Sequence, residues 1–452
     1  MNVPFGGPWS CPQCGAALID AQTGLDCGTC GGVFPVYDIG GWRVPWLFID
    51  PTQALLEWKA RLNGFLHSNE SEQAQLETSL HGLRGHLSTR ERLEIMLVSK
   101  RRHREQILHL LEPLELDNIA FPKSLLPGNL PVNQGLSSYY PNVFRDWSWN
   151  SAENDDLLRA VEEVMGTESE LGSMLTLGGG ACRLAYDIHR EYRPEQSVVL
   201  DFNPLLLMLA ARVVAGETVP LYEFPIAPRN RECFAVLQDC VAPTAIDASG
   251  FQLVLADALQ PPFSPASFNT ILTPWLIDII SQDLRVFAEG VNRLLKPGGV
   301  WLNTGSLAFF HANPAWCYSE EEVAQLLKDC GFELVTEQRR TISYLRSPHS
   351  CHGRTEEIYS FKAVKVKTCE SSACYERLPV WLRQFDQPIP DMPGLIIDSS
   401  NHLLRAQVLA AVDGSQSIRQ IGHLLSQRYD LTSDEATHAV VRILSEEYES
   451  RT

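Results

Sequence analysis

Three consecutive glycines, Gly178, Gly179 and Gly180, end an apolar run in "LTLGGGACRLAYDIHREYRPEQSVVLDFNP", and Asp201 ends the next one. A strand that turns into a helix through residues without side chains lets a ligand approach the backbone closely. A carboxylate ending the following strand can accept both hydroxyl hydrogens of a ribose. Together they describe a nucleoside-type ligand at the switch point of a sheet; a turn that merely needs small residues is the plainer alternative. A dinucleotide site would use G-x-G-x-x-G, whereas Ala-Cys-Arg stands here at the third glycine position.

A second constellation is "WSCPQCGAALIDAQTGLDCGTC", with Cys11, Cys14, Cys27 and Cys30 in two Cys-x-x-Cys knuckles twelve residues apart. Four thiolates at this spacing close a tetrahedral structural Zn²⁺ site, and such a site has no open position for catalysis. A redox pair or four free thiols are the alternatives. The segment has too little core of its own, so metal would supply its folding energy. With "FPV-x-D" after the knuckles, it resembles the zinc ribbons fused to, or partnered with, methyltransferases. The other eight of the twelve cysteines are scattered, which fits a reducing cytoplasm rather than a disulfide framework.

The elements that must position these residues follow from periodicity. Residues 1–50 read as the ribbon. Residues 51–149 read as a helical region and a cofactor-covering segment, with Leu93, Leu97, Ile107, Leu108 and Leu111 near helical spacing and Pro113 as the stop. The run "KRRHR" at 100–104 reads as a solvated helix face, and the proline-rich 121–142 as a surface loop. Residues 150–368 alternate apolar runs with helical patterns. Strands are expected at "SMLTLG", "SVVLDF", "FQLVLAD", "FNTILTPW", "GVWLNTG", "FELVTEQRRTISY" and "IYSFKAVKV", and helices at 153–165, 181–192, 204–214, 281–295 and 319–330. This is a doubly wound, Rossmann-like α/β domain whose last two strands close it antiparallel. Residues 369–394, rich in proline, read as a linker. Residues 395–452 read as three short helices, two of them opened by capping boxes at Ser417/Gln420 and Thr432/Glu435.

The succession from "LGGGACRLAYDI" through "ADALQPPFSPASFNTIL" to "RLLKPGGVWLNTG" resembles class I S-adenosylmethionine-dependent methyltransferases. That resemblance implies that Asp257, ending the third strand, accepts the adenine amino group; a loop carboxylate or helix cap is the alternative. Within the class, "FRDWSWNSAENDDLL", "TPWLIDII" and "LLKPGGVWLNTGSLAFF" occur in the order of the carnosine N-methyltransferase family, and the likeness spans roughly 135–368. It implies that Asn142 and Arg145 reach the methionine carboxylate of the cofactor. The planar guanidinium fork suits a carboxylate. Arg183 and Thr273 join the implied cofactor set. Leu177 and Cys182 replace the family's Pro and last Gly, Asn142 its Gln, and Asp201 its Glu.

The implied chemistry is methyl transfer to an imidazole of a small histidine-containing peptide such as carnosine. A neutral imidazole, with a reference pKa of about 6.5, offers a lone pair at neutral pH. It needs one ring nitrogen held as N–H so that the other faces the methyl. Asp278, at the end of "WLID", is the candidate for that role, with a helix N-cap as alternative. His311 is a candidate substrate-orienting residue or base, or structural; Tyr359 lines the pocket or packs; Trp147 and Trp275 are candidate walls. "TPWL" lacks the Asn/Asp amide clamp of RNA-base and protein-glutamine methyltransferases.

The net charge of −18 argues against a chain that coats nucleic acid or anionic lipid, and no apolar run is long enough to span a bilayer. No secretory signal is visible, so a cytoplasmic protein is expected. The tail "VLAAVDGSQSIRQIGHLLSQRYDLTSDEATHAVVRILSEE" resembles small winged-helix-like domains that bind leader peptides of ribosomally made, modified peptides. That likeness implies a second reading, a peptide-tailoring methyltransferase. A third, a non-enzymatic scaffold with a degenerate cofactor fold, is opposed by the intact glycines, Asp201, Asp257 and Arg145.

Overall fold

The computed structural model describes residues 9–21, 24–82, 86–116, 136–166, 170–247, 249–311, 313–369, 393–429 and 431–449. The linker expected at 369–394 and the loop expected at 121–142 fall largely outside the described residues. By backbone contacts the chain divides into two units, Met1–Arg377 and Leu378–Thr452.

The first unit begins with a four-stranded antiparallel meander, β1 (Leu18–Asp20), β2 (Gly24–Cys27), β3 (Val33–Ile39) and β4 (Trp42–Pro45). Gly40 and Gly41, both at positive φ, make the two-residue turn that pairs Ile39 with Trp42. Two long helices follow, α1 (Pro51–Gly82) and α2 (Leu87–Leu110). They bury Trp58, Leu62 and Leu66 from one and Leu97, Ile107 and Leu110 from the other. The basic run at 100–104 is solvated in part: Arg101 and Arg102 are exposed, while Lys100 and Arg104 pair with Glu72 and Glu70 of α1 and His103 is buried. A run of four cations and a histidine spans more than a helical turn, so its members face in different directions.

Then come α3 (Leu136–Tyr139), α4 (Pro141–Trp147) and α5 (Ala152–Met165), followed by the sheet. Its elements are β5 (Ser173–Leu177), α6 (Arg183–Tyr192), β6 (Gln196–Asp201), α7 (Pro204–Val214), a hairpin β7 (Val219–Glu223) and β8 (Val236–Cys240), β9 (Phe251–Leu255), β10 (Phe268–Pro274), α8 (Leu284–Leu294), β11 (Leu295–Thr304), α9 (Glu320–Asp329), β12 (Phe332–Tyr344) and β13 (Arg354–Lys365). The strand order is β12-β13-β11-β10-β5-β6-β9. β9, β6, β5, β10 and β11 run parallel; β13 is antiparallel to both of its neighbours. All seven strands expected from the sequence are present. The hairpin β7–β8 was not anticipated.

The strand tips of β5 and β10 lie where the winding direction reverses, the place where open α/β sheets bind ligands. The outer edge strand β9 is covered by the ribbon. Leu47 N donates to Leu255 O at 2.8 Å, and Trp46 and Leu255 bridge in parallel. Covering a sheet edge removes a template for unwanted pairing. Ribbon, helical pair and sheet thus share buried side chains: Trp42, Val44, Trp58, Leu62, Leu207 and Leu253 belong to one apolar core.

The second unit holds α10 (Pro393–Ala410), α11 (Ile418–Arg428) and α12 (Ser433–Glu449), and no strand among its described residues. Val408, Ile421, Leu425, Ala436, Val440 and Ile443 form its core. Both capping boxes are formed: Ser417 with Gln420, and Thr432 with Glu435. Among the described residues no helix is long and apolar enough to cross a membrane.

Candidate functional site

The turn after β5 is shaped by its glycines. Gly178 and Gly180 have φ of 69° and 58°, and a Cβ on Gly179 would lie 2.3 Å from Val199 Cγ1. The first two need backbone freedom and the third needs space. Cys182, which stands at the family's last glycine, also has a positive φ of 64°. A side chain in that conformation costs on the order of 1 kcal/mol, so this chain carries strain that glycine avoids.

Asp201 closes β6 under this turn. Its Oδ2 accepts Gly180 N–H at 2.7 Å and its Oδ1 accepts Asn203 N–H at 2.8 Å. Burial pushes its pKa up to about 6, against the pull of those backbone donors. Across the cavity, Arg145 of α4 donates from Nε to Asp146 Oδ1 at 2.7 Å and lies 3.8 Å from Glu153 Oε1. Burial pushes Glu153 up to about 7, opposed by the Arg145 guanidinium. Arg183, at the start of α6, bonds Asp187 and donates to Asp146 O, each at 2.7 Å. Asn142 Oδ1 is buried with no hydrogen-bond partner among the described residues, so an acceptor is left over on the cavity wall.

Asn142, Arg145, Asp146, Arg183, Asp201, Asn203 and the three glycines line one cavity of about 330 Å³, with Glu153 and Asp187 behind its wall. Its other end is built by Trp275, Asp278, Ser306, Tyr139, Tyr344 and Glu356. Asp278 accepts the Ser306 hydroxyl at 2.7 Å. Burial raises its pKa, the Ser306 hydrogen bond lowers it, and Glu356 raises it further. Trp275 stands edge-on to Tyr344 with ring centroids 4.6 Å apart.

Several residues singled out in the sequence lie elsewhere. Asp257 is not on the cavity wall; its Oδ1 accepts Leu259 N–H at 2.9 Å, the loop-carboxylate arrangement. Thr273 is fully buried, donating to Asn303 at 2.8 Å and accepting from Trp301 at 2.9 Å. His311 has both nitrogens engaged: Nδ1 accepts Asn313 N–H at 2.9 Å, which leaves Nε2 to donate to Ser281 O at 3.2 Å. Tyr359 is buried and donates to Glu337 at 2.5 Å. Side chains alternate along a strand, so on β13 Tyr359 faces away from the side shared by Arg354, Glu356 and Ile358. Trp147 is core, donating to Ala181 O at 2.8 Å. Tyr139, Asp146, Glu153, Ser306, Tyr344, Arg354 and Glu356 were not singled out. Only Asp146, inside R-D-W-S, carried a readable signal.

The four ribbon cysteines bring their sulfurs within 4.8 Å of one another. Cys11 and Cys30 are 3.6 Å apart and Cys14 and Cys27 3.5 Å. A tetrahedral zinc with Zn–S of about 2.3 Å needs sulfurs roughly 3.8 Å apart, so the set fits the ion with little adjustment.

The sheet order with its one reversed strand, the glycine turn and Asp201 define a Rossmann-like protein of class I methyltransferase architecture. The chain belongs to the carnosine N-methyltransferase family, whose model matches residues 133–367, just over half of it. It is 23% identical over 277 residues to a carnosine N-methyltransferase of Dictyostelium discoideum, covering 54% of this chain and 57% of that one. The chain thus spans a little over half the length of this curated relative. Solved structures that match include an S-adenosylmethionine-dependent methyltransferase of Methanosarcina mazei (15% identity, 44% of this chain and 94% of that one, TM-score 0.31). Another is a phosphoethanolamine N-methyltransferase of Haemonchus contortus (16%, 51% and 57%, TM-score 0.33). These scores are too low to carry a structural argument.

Proposed function

We propose that the chain is an S-adenosylmethionine-dependent N-methyltransferase whose acceptor is the imidazole of a small histidine-containing peptide such as carnosine. The observation that carries this is Asp278. It is a buried carboxylate, held by Ser306, in the same cavity as the glycine turn and Asp201.

S-adenosylmethionine supplies a methyl group already activated on a sulfonium. Asp201 accepts the ribose hydroxyls with the lone pairs that Gly180 and Asn203 leave free. Arg145 meets the methionine carboxylate, and the unpartnered Asn142 Oδ1 accepts from the ammonium beside it. Gly180, whose Cβ position is open space on the cavity wall, gives the adenosine room against the backbone. Asp278 accepts N–H from the far imidazole nitrogen, so that the near nitrogen's lone pair lies in line with the methyl. Bound cofactor would supply the methyl and keep the bonding pair on its sulfur as the leaving group, and Asp278 would stabilise the positive charge that the imidazole gains. No base is required before transfer; alignment of this kind is worth up to ~7–11 kcal/mol.

Incubation with methyl-labelled cofactor and carnosine tests the reading, and labelled methylcarnosine is the expected product. A second reading, methylation of a ribosomally made peptide gripped by the tail, is favoured by Leu403, Ile418 and Leu424, large apolar residues 42–52% exposed in the second unit. Labelling of a peptide encoded beside the gene, with carnosine left unlabelled, would select it.

A further inference from the structure

The acceptor end of the cavity carries one carboxylate more than imidazole alignment needs. Asp278 suffices to hold a ring N–H, yet Glu356 faces the same space and raises the Asp278 pKa by repulsion. Glu356 is held by Arg354, Nε to Oε1 at 3.0 Å, with side-chain exposures of 60% for the arginine and 23% for the glutamate. Arg354 in turn lies over the Tyr344 ring, 4.3 Å from its centroid. The three residues share one face of the β12–β13 pair, because Tyr344 is the cross-strand partner of Arg354 and Glu356 follows two positions on.

The other guanidiniums on the cavity wall serve other groups: Arg145, bonded through Nε to Asp146, is the residue assigned to the cofactor carboxylate, and Arg183 pairs with Asp187. Arg354, the cation bonded to Glu356, is mostly in solvent, and among the described residues Asp278 is held by the Ser306 hydroxyl with no ion pair. Like charges facing a partly dehydrated space each make the other costlier to ionise, and a cation between them turns that repulsion into two attractions. A neutral imidazole does not supply that cation.

We propose that Glu356 is a specificity-determining residue that pairs with a free ammonium group on the acceptor, with Arg354 holding its carboxylate in place over Tyr344. The inference rests on the imidazole reading and deepens it. The acceptor class becomes a short molecule carrying an imidazole and an unblocked amine. A histidine inside a longer chain, its amine locked in a peptide bond, lacks the group that Glu356 recognises.

The test compares carnosine with N-acetylcarnosine, which keeps the imidazole and loses the ammonium. A hydrogen bond to a charged group contributes about tenfold or more in affinity, so the wild-type protein is expected to favour carnosine at least about tenfold, through KM. Glu356→Gln should abolish most of that preference, and Glu356→Asp should restore part of it. Equal use of both compounds by the wild-type protein overturns the proposal and leaves the imidazole reading standing, whether or not the variants fold. A preference that survives Glu356→Gln overturns it too. So does a changed ratio of S-adenosylmethionine to S-adenosylhomocysteine affinity in that variant, which would assign the charge to the sulfonium. If neither compound is methylated although the cofactor binds, the imidazole reading falls and this proposal with it.

Discussion

The Asp201 carboxylate accepts the backbone N–H of Gly180 at 2.7 Å, so the tip of β6 and the turn after β5 form one rigid piece. The same carboxylate holds Asn203 N–H through its other oxygen, which starts α7. With both oxygens held by backbone donors, the carboxylate has little freedom to rotate.

Asp201→Ala is expected to abolish cofactor binding, read by calorimetry with S-adenosylhomocysteine. The pH dependence has a definite sign. Burial holds the carboxyl pKa up at about 6, and in the proposed role it is the ionised form that accepts the ribose hydroxyls. Affinity should therefore fall as pH drops through 6, by close to tenfold per unit below it, and the slope should be absent in Asp201→Asn.

Asp278→Ala or Asp278→Asn should leave S-adenosylhomocysteine affinity within about twofold and lower kcat by roughly a hundredfold or more, because the misaligned ring nitrogen no longer points along the methyl axis. Single-turnover rates with carnosine check this. Equal loss of cofactor binding in Asp278→Ala and Asp201→Ala would refute the division of roles.

Glu153 supplies a stability test. Its pKa rises from an ordinary 4.5 to about 7, so the folded protein holds a proton that the unfolded chain releases. Stability is then highest, on this account, below pH 4.5 and declines as pH rises to 7, by at most about 3 kcal/mol. Glu153→Gln removes the decline. The gain in melting temperature of the variant over the parent should grow from pH 5 to pH 8.

The ribbon should bind one zinc per chain, measurable by elemental analysis of the purified protein. Its removal by a chelator should expose more than the ribbon, because Leu47 N–H and Trp46 are docked on β9. We expect the whole first unit to lose thermal stability by several degrees, and Cys14→Ser or Cys27→Ser to reproduce the loss with zinc present.

Much of the scaffold was legible in the chain itself. The strands of the sheet announce themselves as apolar runs, and the glycines as places where a side chain cannot go. The four cysteines declare a candidate metal site by spacing. What escaped was the acceptor end. Tyr359 looked like its pocket residue, and Glu356, three positions earlier on the same strand, is the one that faces the cavity. An odd offset on a strand puts two residues on opposite faces, and nothing local in "TEEIYSFK" states which face looks at the ligand. His311 reads as chemistry by residue type alone, until its two nitrogens are found spent on Asn313 and Ser281.

The sequence by itself determined the seven strands of the main sheet and their order along the chain, the glycine turn with its acid and the paired cysteine knuckles, because each depends on residues close together in the chain. The tertiary structure alone decided that Asp278, Glu356, Tyr139 and Tyr344 share a cavity with Asp201, and that the ribbon seals the β9 edge. Those relations join segments more than sixty residues apart, and they are set by packing and strand parity, which no local pattern encodes.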